Sequence, residues 1–528
     1  MGQTRYWLQA RAQTSPHALA LIYGQERWNY ADLNRRSNAL AAYLTAQGVQ
    51  AGDRVAALLP NSPLYVCLIH ALAQLGAVLV PLNGRLTPPE LAWQIESVGC
   101  HWLIAKEEWP LAPCQLLLVN EQLLEPTPFP FPTPHSPPPI PHAPNLQAIL
   151  FTSGTSGTPK AVPLTFANHF YSALSSAYRI GTLPNDLWLS CLPLYHVGGL
   201  AVIFRSCLYG TAVDLHPRFD LKAINRSLDT NPITLISLVP TMLYRLLSSR
   251  DHWPASLRLL LLGGAAADPE LMARANALPR AVTSEQYLVS SKKLKVGSES
   301  PHPLPQPPFP IVAPTYGLTE ASSQVATMLP TEAARKPGSV GKPLLFTTVK
   351  IVDEQGQDCP PGQVGELVVS GPTVMAGYLS EVDLTGLVNE TNLPSRSRQN
   401  LSGLATFATG DMGYLDEDGD LWLVQRRTDL IVSGGENVYP AEVERVIRKH
   451  EAVTAVAVVG IPHPEWGQQV AAAIVLHEES SLTEADLLDY CRAHLAPYKL
   501  PRRLLFVADL PQTASGKMAR TAVADLFT

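Results

Sequence analysis

Leu150-Phe-Thr-Ser-Gly-Thr-Ser-Gly-Thr-Pro-Lys160 is a run of small and hydroxyl-bearing residues that ends in a lysine. Small residues allow backbone N–H groups to crowd around an anion, and hydroxyls and the Lys160 ammonium add donors and charge. The run therefore predicts a loop that holds a polyphosphate. It is not a Walker A loop, because Pro159 stands where G-x-x-x-x-G-K-[ST] requires a glycine. A flexible surface linker is the alternative that this loop does not exclude by itself.

The residues around this loop predict an α/β fold. Apolar strand patterns alternate with helical patterns through roughly the first three hundred residues, which is typical of largely parallel sheets covered by helices. The apolar stretch from Leu64 to Leu82 contains His70, Gln74 and Gly76, so a core helix followed by a strand is favoured over a membrane span. The clearest predicted strands are Arg54–Leu59, Gln147–Phe151, Thr234–Val239 and Leu257–Leu262.

A chain of 528 residues is too long for one core, so at least two domains are expected. Short alternating strands and turns after Val340 predict a β-rich subdomain over about residues 341–427, within a large N-terminal domain of residues 1–427. Residues 428–528 are predicted to form a small, mobile α+β domain, with one helix that begins at Pro440. Irregular insertions are predicted at residues 126–144, which contain ten prolines, and at residues 282–310 and 389–402.

Composition limits the partners and the compartment. The chain is 46% hydrophobic and 16% charged with a net charge of −6, which argues against disorder and against nucleic acid as the main partner. The N-terminus has no apolar signal-peptide core, and seven scattered cysteines without a C-x-x-C pair predict reduced thiols. We therefore expect a cytoplasmic protein with no stable membrane insertion. The sequence leaves open whether the chain forms a homo-oligomer.

Five further segments place chemically useful groups beside strand ends or on loops. A glycine pair allows a flat ring to approach the backbone, and carboxylates and lysines beside glycine turns suit a polar ligand. Each segment alone is a common turn. The segments are Leu261-Leu-Gly-Gly-Ala265, Thr315-Tyr-Gly-Leu-Thr-Glu320, Thr409-Gly-Asp411, Arg426 to Asn437 and Pro511-Gln-Thr-Ala-Ser-Gly-Lys517.

Together, and in this order, these segments resemble the adenylate-forming superfamily of acyl-CoA synthetases, non-ribosomal adenylation domains and luciferases. The resemblance covers nearly the whole chain, from Trp28 to Lys517. Within the superfamily the chain is most similar to the o-succinylbenzoate–CoA ligases of menaquinone and phylloquinone biosynthesis. That likeness rests on Cys191–Leu200 with Phe204-Arg205, Tyr316–Gln324, Lys336–Pro343 and Ser433–Val443.

The resemblance implies an AMP-forming acid–thiol ligase that uses ATP, Mg²⁺ and coenzyme A. A carboxylic acid, 2-succinylbenzoate in these ligases, first attacks the α-phosphorus of ATP to give an acyl-adenylate and pyrophosphate. The CoA thiol then displaces AMP to give the thioester, 2-succinylbenzoyl-CoA. The protein's part is to neutralise the phosphates and align the reacting groups.

The resemblance also implies roles for residues at the nucleotide. Glu320 would bind Mg²⁺, Thr319 would contact the α-phosphate, and Lys517 would reach the oxygens where the acid meets the α-phosphate. Asp411 would accept the ribose hydroxyls, with Arg426 assisting. Residues expected around the phosphates are Thr152, Ser153, Gly154, Thr155, Ser156, Gly157 and Lys160, and those around adenine are Gly263, Gly264, Ala265, Tyr316 and Gly317.

For the acid, the same resemblance implies that His196 gates the pocket, with general-base catalysis and a structural histidine as alternatives. Arg205 would hold a second carboxylate of the substrate, or else pair elsewhere, and Ser322 and Ser323 are further candidate contacts. In the C-terminal domain, the resemblance implies that Thr428 is the hinge and that Gly434 and Gly435 line the channel for CoA.

Three features depart from the usual pattern of the superfamily, and all concern the acid. The segment between Gly264 and Tyr316 is long, Ala405–Ala408 lacks a common tryptophan, and Gly263–Asp268 lacks a third glycine and a proline. A fatty or aryl acyl-CoA synthetase is therefore one alternative. A module that loads a carrier protein and a non-catalytic acyl-adenylate-binding protein are the others. The carrier-loading module is disfavoured because no carrier domain follows Lys517. The non-catalytic protein is disfavoured because Glu320, Asp411 and Lys517 are all present.

Overall fold

The computed structural model describes residues 6–109, 114–124, 146–152, 159–264, 269–280, 310–333, 335–379, 397–399, 405–425, 430–477, 480–511 and 520–527. The strands in chain order are β1 Leu19–Tyr23, β2 Glu26–Asn29, β3 Arg54–Leu58, β4 Val78–Pro81, β5 Trp102–Ala105, β6 Gln115–Leu118, β7 Leu146–Thr152, β8 Lys160–Thr165, β9 Leu187–Ser190, β10 Ala212–Leu215, β11 Leu235–Leu238, β12 Leu259–Leu262, β13 Val312–Leu318, β14 Ser323–Thr327, β15 Ser339–Pro343, β16 Thr348–Val352, β17 Gly365–Ser370, β18 Ser397–Gln399, β19 Ala405–Leu415, β20 Leu421–Gln425, β21 Ile431–Ser433, β22 Glu436–Val438, β23 Val453–His463, β24 Gly467–Leu476 and β25 Arg503–Phe506.

Helices cover these strands. In chain order they are α1 Trp7–Thr14, α2 Tyr30–Ala46, α3 Pro63–Leu75, α4 Pro88–Ser97, α5 Phe166–Ile180, α6 Val197–Tyr209, α7 Leu221–Thr230, α8 Pro240–Leu247, α9 Pro269–Ala277, α10 Pro330–Ala333, α11 Pro440–Ile447, α12 Glu484–His494 and α13 Arg520–Asp525. Short 3₁₀ turns span Glu121–Leu124, Thr319–Ala321 and Pro497–Lys499. Among the described residues, no helix combines the length and the apolar character needed to cross a bilayer.

A six-stranded sheet has the order β6-β5-β3-β4-β7-β8 and is parallel up to β7. The last pair, β7 and β8, is antiparallel, and Thr152 lies opposite Lys160 at its open end. The two ends of the phosphate-loop candidate are therefore fixed in register on a buried strand pair, as a loop on a rigid scaffold requires.

The large sheet joins a parallel half to an antiparallel half. β1, β10, β9, β11, β12 and β13 are parallel neighbours, and β14, β15, β20, β19, β17 and β16 continue the sheet in antiparallel fashion. The change falls at β13, which carries Tyr316 and Gly317. Carboxyl ends of parallel strands meet at one edge, and ligands bind there in open α/β sheets.

A small sheet of order β22-β21-β24-β23, with β25 parallel to β24, forms the C-terminal α+β region. Its hydrophobic core combines Val443 and Ile447 of α11 with Val456, Val458 and Ile474 of the sheet. The expected helix at Pro440 is present, and the proline occupies its first turn, where a missing N–H costs nothing.

The α/β fold predicted from the sequence is confirmed, and so is the core helix followed by a strand. α3 begins at Pro63 behind the cap Ser62, whose hydroxyl accepts from the Tyr65 N–H at 3.2 Å, and ends at Gly76 with φ of 71°. The expectation that residues 389–402 are irregular is wrong in part. Residues 397–399 form β18, which pairs with residues 405–407 of β19 because β20 pairs only with residues 412–415 of that strand and leaves the backbone groups of its first residues free on that side. Residues 126–144, and 282–310 except the last, lie outside the described residues.

Candidate active site

A cavity of about 870 Å³ lies at the carboxyl edge of the parallel strands, between the β7–β8 hairpin and the β21–β22 hairpin of the small sheet. A volume of this size suits a small organic ligand. Sequence-predicted residues that line it are Thr152, His196, Arg205, Gly263, Gly264, Gly317, Thr319, Glu320, Ser323, Asp411, Gly434 and Gly435. Residues from both predicted domains thus meet at one site.

Glu320 lies in the 3₁₀ turn after β13, where Tyr378 and Thr152 hold its carboxylate. The Tyr378 hydroxyl donates to Glu320 Oε1 at 2.9 Å, and Thr152 Oγ1 lies 3.4 Å from the same oxygen. The Lys160 ammonium lies 4.5 Å from the centre of the Tyr378 ring. Sequence reasoning missed Tyr378, although the aromatic residue after Gly377 was visible. An oriented carboxylate beside a lysine is a donor set that fits Mg²⁺ and phosphate.

Tyr316 and Asp411 meet across the large sheet. The Tyr316 hydroxyl donates to Asp411 Oδ2 at 2.6 Å. The backbone beside Tyr316 is crowded, because a Cβ on Gly317 would lie 1.9 Å from the carbonyl oxygen of Ser323. The backbone at Gly263 is also crowded, because a Cβ there would lie 2.7 Å from Thr315 Cγ2. Both glycines are therefore required by the packing. The Asp411 carboxylate lines the cavity, whereas the Tyr316 ring is buried and is not part of the cavity wall.

Arg205 is a buried cation in the lining of the cavity. It lies on α6 and is 3% exposed. Its Nη2 donates to Ser172 Oγ at 3.2 Å, while its Nε has no hydrogen-bond partner among the described residues. Burial lowers the pKa of Arg205, and burial followed by the charge of Arg205 lowers the pKa of the nearby His169 to about 3. A buried guanidinium with an unsatisfied N–H is costly unless an anion binds it.

Two neighbours of Arg205 differ from the sequence-based expectation. Ser322 is fully buried and its hydroxyl donates to the Thr373 carbonyl at 2.8 Å, so that hydroxyl serves the packing, whereas Ser323 lines the cavity. Gln324, to which sequence reasoning gave no role, also lines the cavity. Its Nε2 donates to Thr327 Oγ1 at 2.9 Å, and its Oε1 has no partner within the described part of the chain.

His196 stands at the junction with the small sheet. Its Nε2 lies 3.2 Å from Glu436 Oε2, and Glu436 also accepts from Arg85 at 2.7 Å and from Tyr195 at 3.3 Å. Burial raises the pKa of Glu436, but the hydrogen bond and charge of His196 and the charge of Arg85 outweigh it, so the net pKa is lowered. Sequence reasoning assigned only the two glycines before Glu436 and missed the carboxylate.

Several predicted site residues lie outside the described residues, and their roles stay predictions. They are Ser153, Gly154, Thr155, Ser156, Gly157, Ala265, Arg426, Thr428 and Lys517.

Another cluster has no room for a metal ion. The carboxylates of Asp416, Asp418 and Asp420 converge on the Lys336 ammonium at 2.8, 2.6 and 2.6 Å, so a lysine takes the place of a cation there.

Comparison with known proteins identifies the class. The family model of AMP-binding enzymes matches residues 8–287 and 304–379, and the model of the AMP-binding enzyme C-terminal domain matches residues 442–517. The chain belongs to the AMP-binding enzyme family, which confirms the superfamily inferred from the motifs. Within the family, the chain is 36% identical to the 2-succinylbenzoate–CoA ligase of Bacillus licheniformis, over 97% of this chain and 98% of the relative.

Solved structures of o-succinylbenzoate CoA synthetase (MenE) from Bacillus subtilis match the whole chain. A double mutant bound to the product analogue OSB-NCoA has a TM-score of 0.83, with 35% identity over 99% of this chain and 98% of that one. The same enzyme with the acyl-adenylate OSB-AMP has a TM-score of 0.67, with the same identity and coverage. Because identity and coverage are equal, the difference in TM-score reflects a different arrangement of the chain in space.

Proposed function

We propose that this protein is an ATP- and Mg²⁺-dependent ligase that joins 2-succinylbenzoate to coenzyme A through an acyl-adenylate. The observation that carries the proposal is the polarity of one cavity. Glu320 and Asp411 line it as candidate nucleotide-binding carboxylates, the buried Tyr316 holds Asp411 from behind, and the buried guanidinium of Arg205 lines the same cavity. The likeness to ligases of that name over nearly the full chain supports the same acid.

In the first half-reaction, a carboxylate oxygen of the acid attacks the α-phosphorus of ATP, and the bond to the pyrophosphate oxygen breaks. Asp411, held in place by the Tyr316 hydroxyl, accepts the ribose hydroxyls, which fixes the α-phosphorus in the cavity. Glu320, oriented by Tyr378 and Thr152, would hold Mg²⁺ through a carboxylate oxygen, and the bound ion would neutralise phosphate charge. Lys160 adds positive charge beside this carboxylate.

Arg205 selects the acid. 2-Succinylbenzoate has two carboxylates, one that reacts and one that remains, and the remaining one can pair with the buried guanidinium of Arg205, which lines the cavity. A monocarboxylic fatty or aryl acid would leave that buried charge unpaired, which discriminates against it. Gln324 Oε1 and the wall at Ser323 add polar groups to the same cavity.

In the second half-reaction, the CoA thiolate attacks the acyl carbon, and the bond to the AMP oxygen breaks. Gly434 and Gly435 line the cavity in this structure, and the TM-score is higher against the enzyme with a CoA product analogue than against the one with the acyl-adenylate. We infer that residues 1–427 and 428–528 are two domains that rearrange between the half-reactions, and that the arrangement described above serves thioester formation. The seven free cysteines support a reducing, cytoplasmic setting.

The test is CoA-dependent AMP formation with 2-succinylbenzoate, benzoate and octanoate, for the wild type, Arg205→Lys and Arg205→Ala. We expect wild-type activity with 2-succinylbenzoate. We expect Arg205→Ala to raise its KM by roughly 10–100-fold, because a charge-assisted hydrogen bond is lost. Benzoate and octanoate, which lack a second carboxylate, should lose no activity in either variant and should gain activity in Arg205→Ala, where no buried charge is left unpaired. Wild-type activity with octanoate and none with 2-succinylbenzoate would overturn the substrate assignment.

A further inference from the structure

Lys499 lies between two carboxylates at the boundary of the large and small sheets. Its ammonium is 2.6 Å from Glu90 Oε1 and 2.8 Å from Glu442 Oε1, and Lys499 is only 4% exposed. Glu442 belongs to α11 and Lys499 to the 3₁₀ turn Pro497–Lys499, so this pair lies inside the small C-terminal region. Glu90 belongs to α4, beside the six-stranded sheet, so the other pair crosses between the two regions.

Glu90 is held in place from its own side. Its Oε2 accepts from the Thr87 backbone N–H at 2.7 Å and from the Thr87 hydroxyl at 2.8 Å, forming the capping box of α4. The second oxygen is thereby directed at Lys499 before the two regions meet. A preorganised acceptor loses little side-chain entropy on forming the pair, unlike a typical surface ion pair.

The pair favours one arrangement of the two regions without being needed to fold either. If the small region moves away, Lys499 keeps Glu442 as its partner, and Glu90 keeps its capping bonds while its free oxygen meets water. Both carboxylates stabilise the charged form of Lys499. Burial lowers the pKa of Lys499, but the charges of Glu442 and Glu90 raise it by more, so the net pKa is raised. An interaction present in only one of two states shifts their populations by its free energy.

Other contacts from the same segment reinforce the position. Arg85 donates to Glu436 at 2.7 Å and its guanidinium lies 4.8 Å from the centre of the Tyr498 ring. Asn83 Nδ2 lies 3.4 Å from the Tyr498 hydroxyl. Residues 83–90 therefore contact the small region at Glu436, Tyr498 and Lys499. Arg85 and Tyr498 also line the catalytic cavity, whereas Glu90 does not, so Glu90 can be altered without touching the ligands directly.

We propose that Glu90 and Lys499 are positioning residues whose ion pair holds the small domain in the thioester-forming arrangement. The pair thereby sets the rate of CoA acylation relative to the rate of adenylation. The proposal rests on the proposed two-step ligase function, and it gives a role to Glu90, which does not line the catalytic cavity, through Lys499, which does.

The test compares Glu90→Gln with Glu96→Gln. Glutamine at position 90 can still cap α4 but lacks the charge, and Glu96 is an exposed carboxylate on the same helix. Adenylation is followed as pyrophosphate release without CoA, and thioester formation as single-turnover reaction of preformed acyl-adenylate with CoA. We expect Glu90→Gln to slow thioester formation about 10-fold, as for loss of a charged hydrogen bond, with adenylation within twofold of wild type. Glu96→Gln should match the wild type in both.

Hydrogen exchange gives a readout that does not depend on the acid. We expect faster exchange of the backbone amides of residues 83–90 and 497–499 in Glu90→Gln than in Glu96→Gln, with equal exchange in the core strands β11 and β12. Unchanged exchange, or an equal loss of both half-reactions, would overturn the positioning role. If the wild type adenylates no carboxylic acid, the proposed function fails, and exchange alone then decides whether the pair holds the two regions together.

Discussion

Tyr316 and Asp411 lie 95 residues apart in the chain, and a 2.6 Å hydrogen bond joins the Tyr316 hydroxyl to Asp411 Oδ2. The bond links β13, the last parallel strand of the large sheet, to β19 of its antiparallel half. The turn of the sheet from parallel to antiparallel therefore brings the Tyr316 hydroxyl against a carboxylate in one wall of the cavity. Neither half of the sheet would form this wall alone.

Two substitutions separate the roles of this pair. Asp411→Asn removes the charge that accepts ribose hydroxyls, and we expect the KM for ATP to rise roughly 10–100-fold. Tyr316→Phe keeps the ring face and loses one hydrogen bond, so we expect a rise of about 2- to 10-fold. The measurement is initial-rate pyrophosphate release at varied ATP. A larger effect from Tyr316→Phe than from Asp411→Asn would contradict the assignment of the ribose contact to the carboxylate.

The glycine pair of the β21–β22 hairpin offers a matched comparison. Gly434 and Gly435 both have positive φ, 59° and 88°, so alanine strains the backbone at either position by about 1 kcal/mol. A Cβ on Gly435 would also lie 3.1 Å from Val239 Cγ2, whereas a Cβ on Gly434 would meet nothing within 4 Å. The two variants therefore differ mainly in crowding of the channel wall.

We expect Gly435→Ala to slow thioester formation about 10-fold more than Gly434→Ala does, which corresponds to about 1.4 kcal/mol. Adenylation should change little in either variant. The rates come from single-turnover reaction of preformed acyl-adenylate with CoA. If both variants slow the step equally, backbone strain rather than crowding explains the need for glycine.

Sequence patterns predicted much of the fold because the parallel strands are short apolar runs with buried neighbours on both faces. Leu259–Leu262 and the helix that begins at Pro63 show this signal clearly. The strand 397–399 escaped prediction because its polar residues carry no periodicity. Only the edge of a neighbouring strand makes them extended.

The site was predictable where several residues act within one short motif, and less so where partners come from distant segments. Glu320 was found in its motif, but Tyr378, which orients it, lies 58 residues further along. Glu436 was visible beside the two glycines, but its contact with His196 spans 240 residues and depends on how the small region sits. Glu90 and Lys499, separated by 409 residues, had no sequence signal that related them.

Acid sensitivity of folding should arise in part at His70. This histidine is 1% exposed on α3, and its Nδ1 lies 2.9 Å from the hydroxyl of Tyr6. Burial lowers the pKa of His70 from 6.5 to about 3, and burial raises the pKa of Tyr6, so the phenol donates and the imidazole accepts. The unfolded chain therefore binds a proton at a pH where the folded chain does not.

The direction of the effect follows from this difference. The neutral histidine contributes its full stabilisation above pH 6.5, and the contribution falls as the pH drops toward 3, by about 4 to 5 kcal/mol in total. Between pH 6.5 and 4.5 the loss should be about 2 to 3 kcal/mol. His70→Gln removes the titrating group, so its urea midpoint should fall less steeply with pH than that of the wild type, although its midpoint at pH 7.5 is lower. His17→Gln, at an exposed histidine, should keep the wild-type slope. Equal slopes for all three proteins between pH 7.5 and 4.5 would show that His70 is not the group responsible.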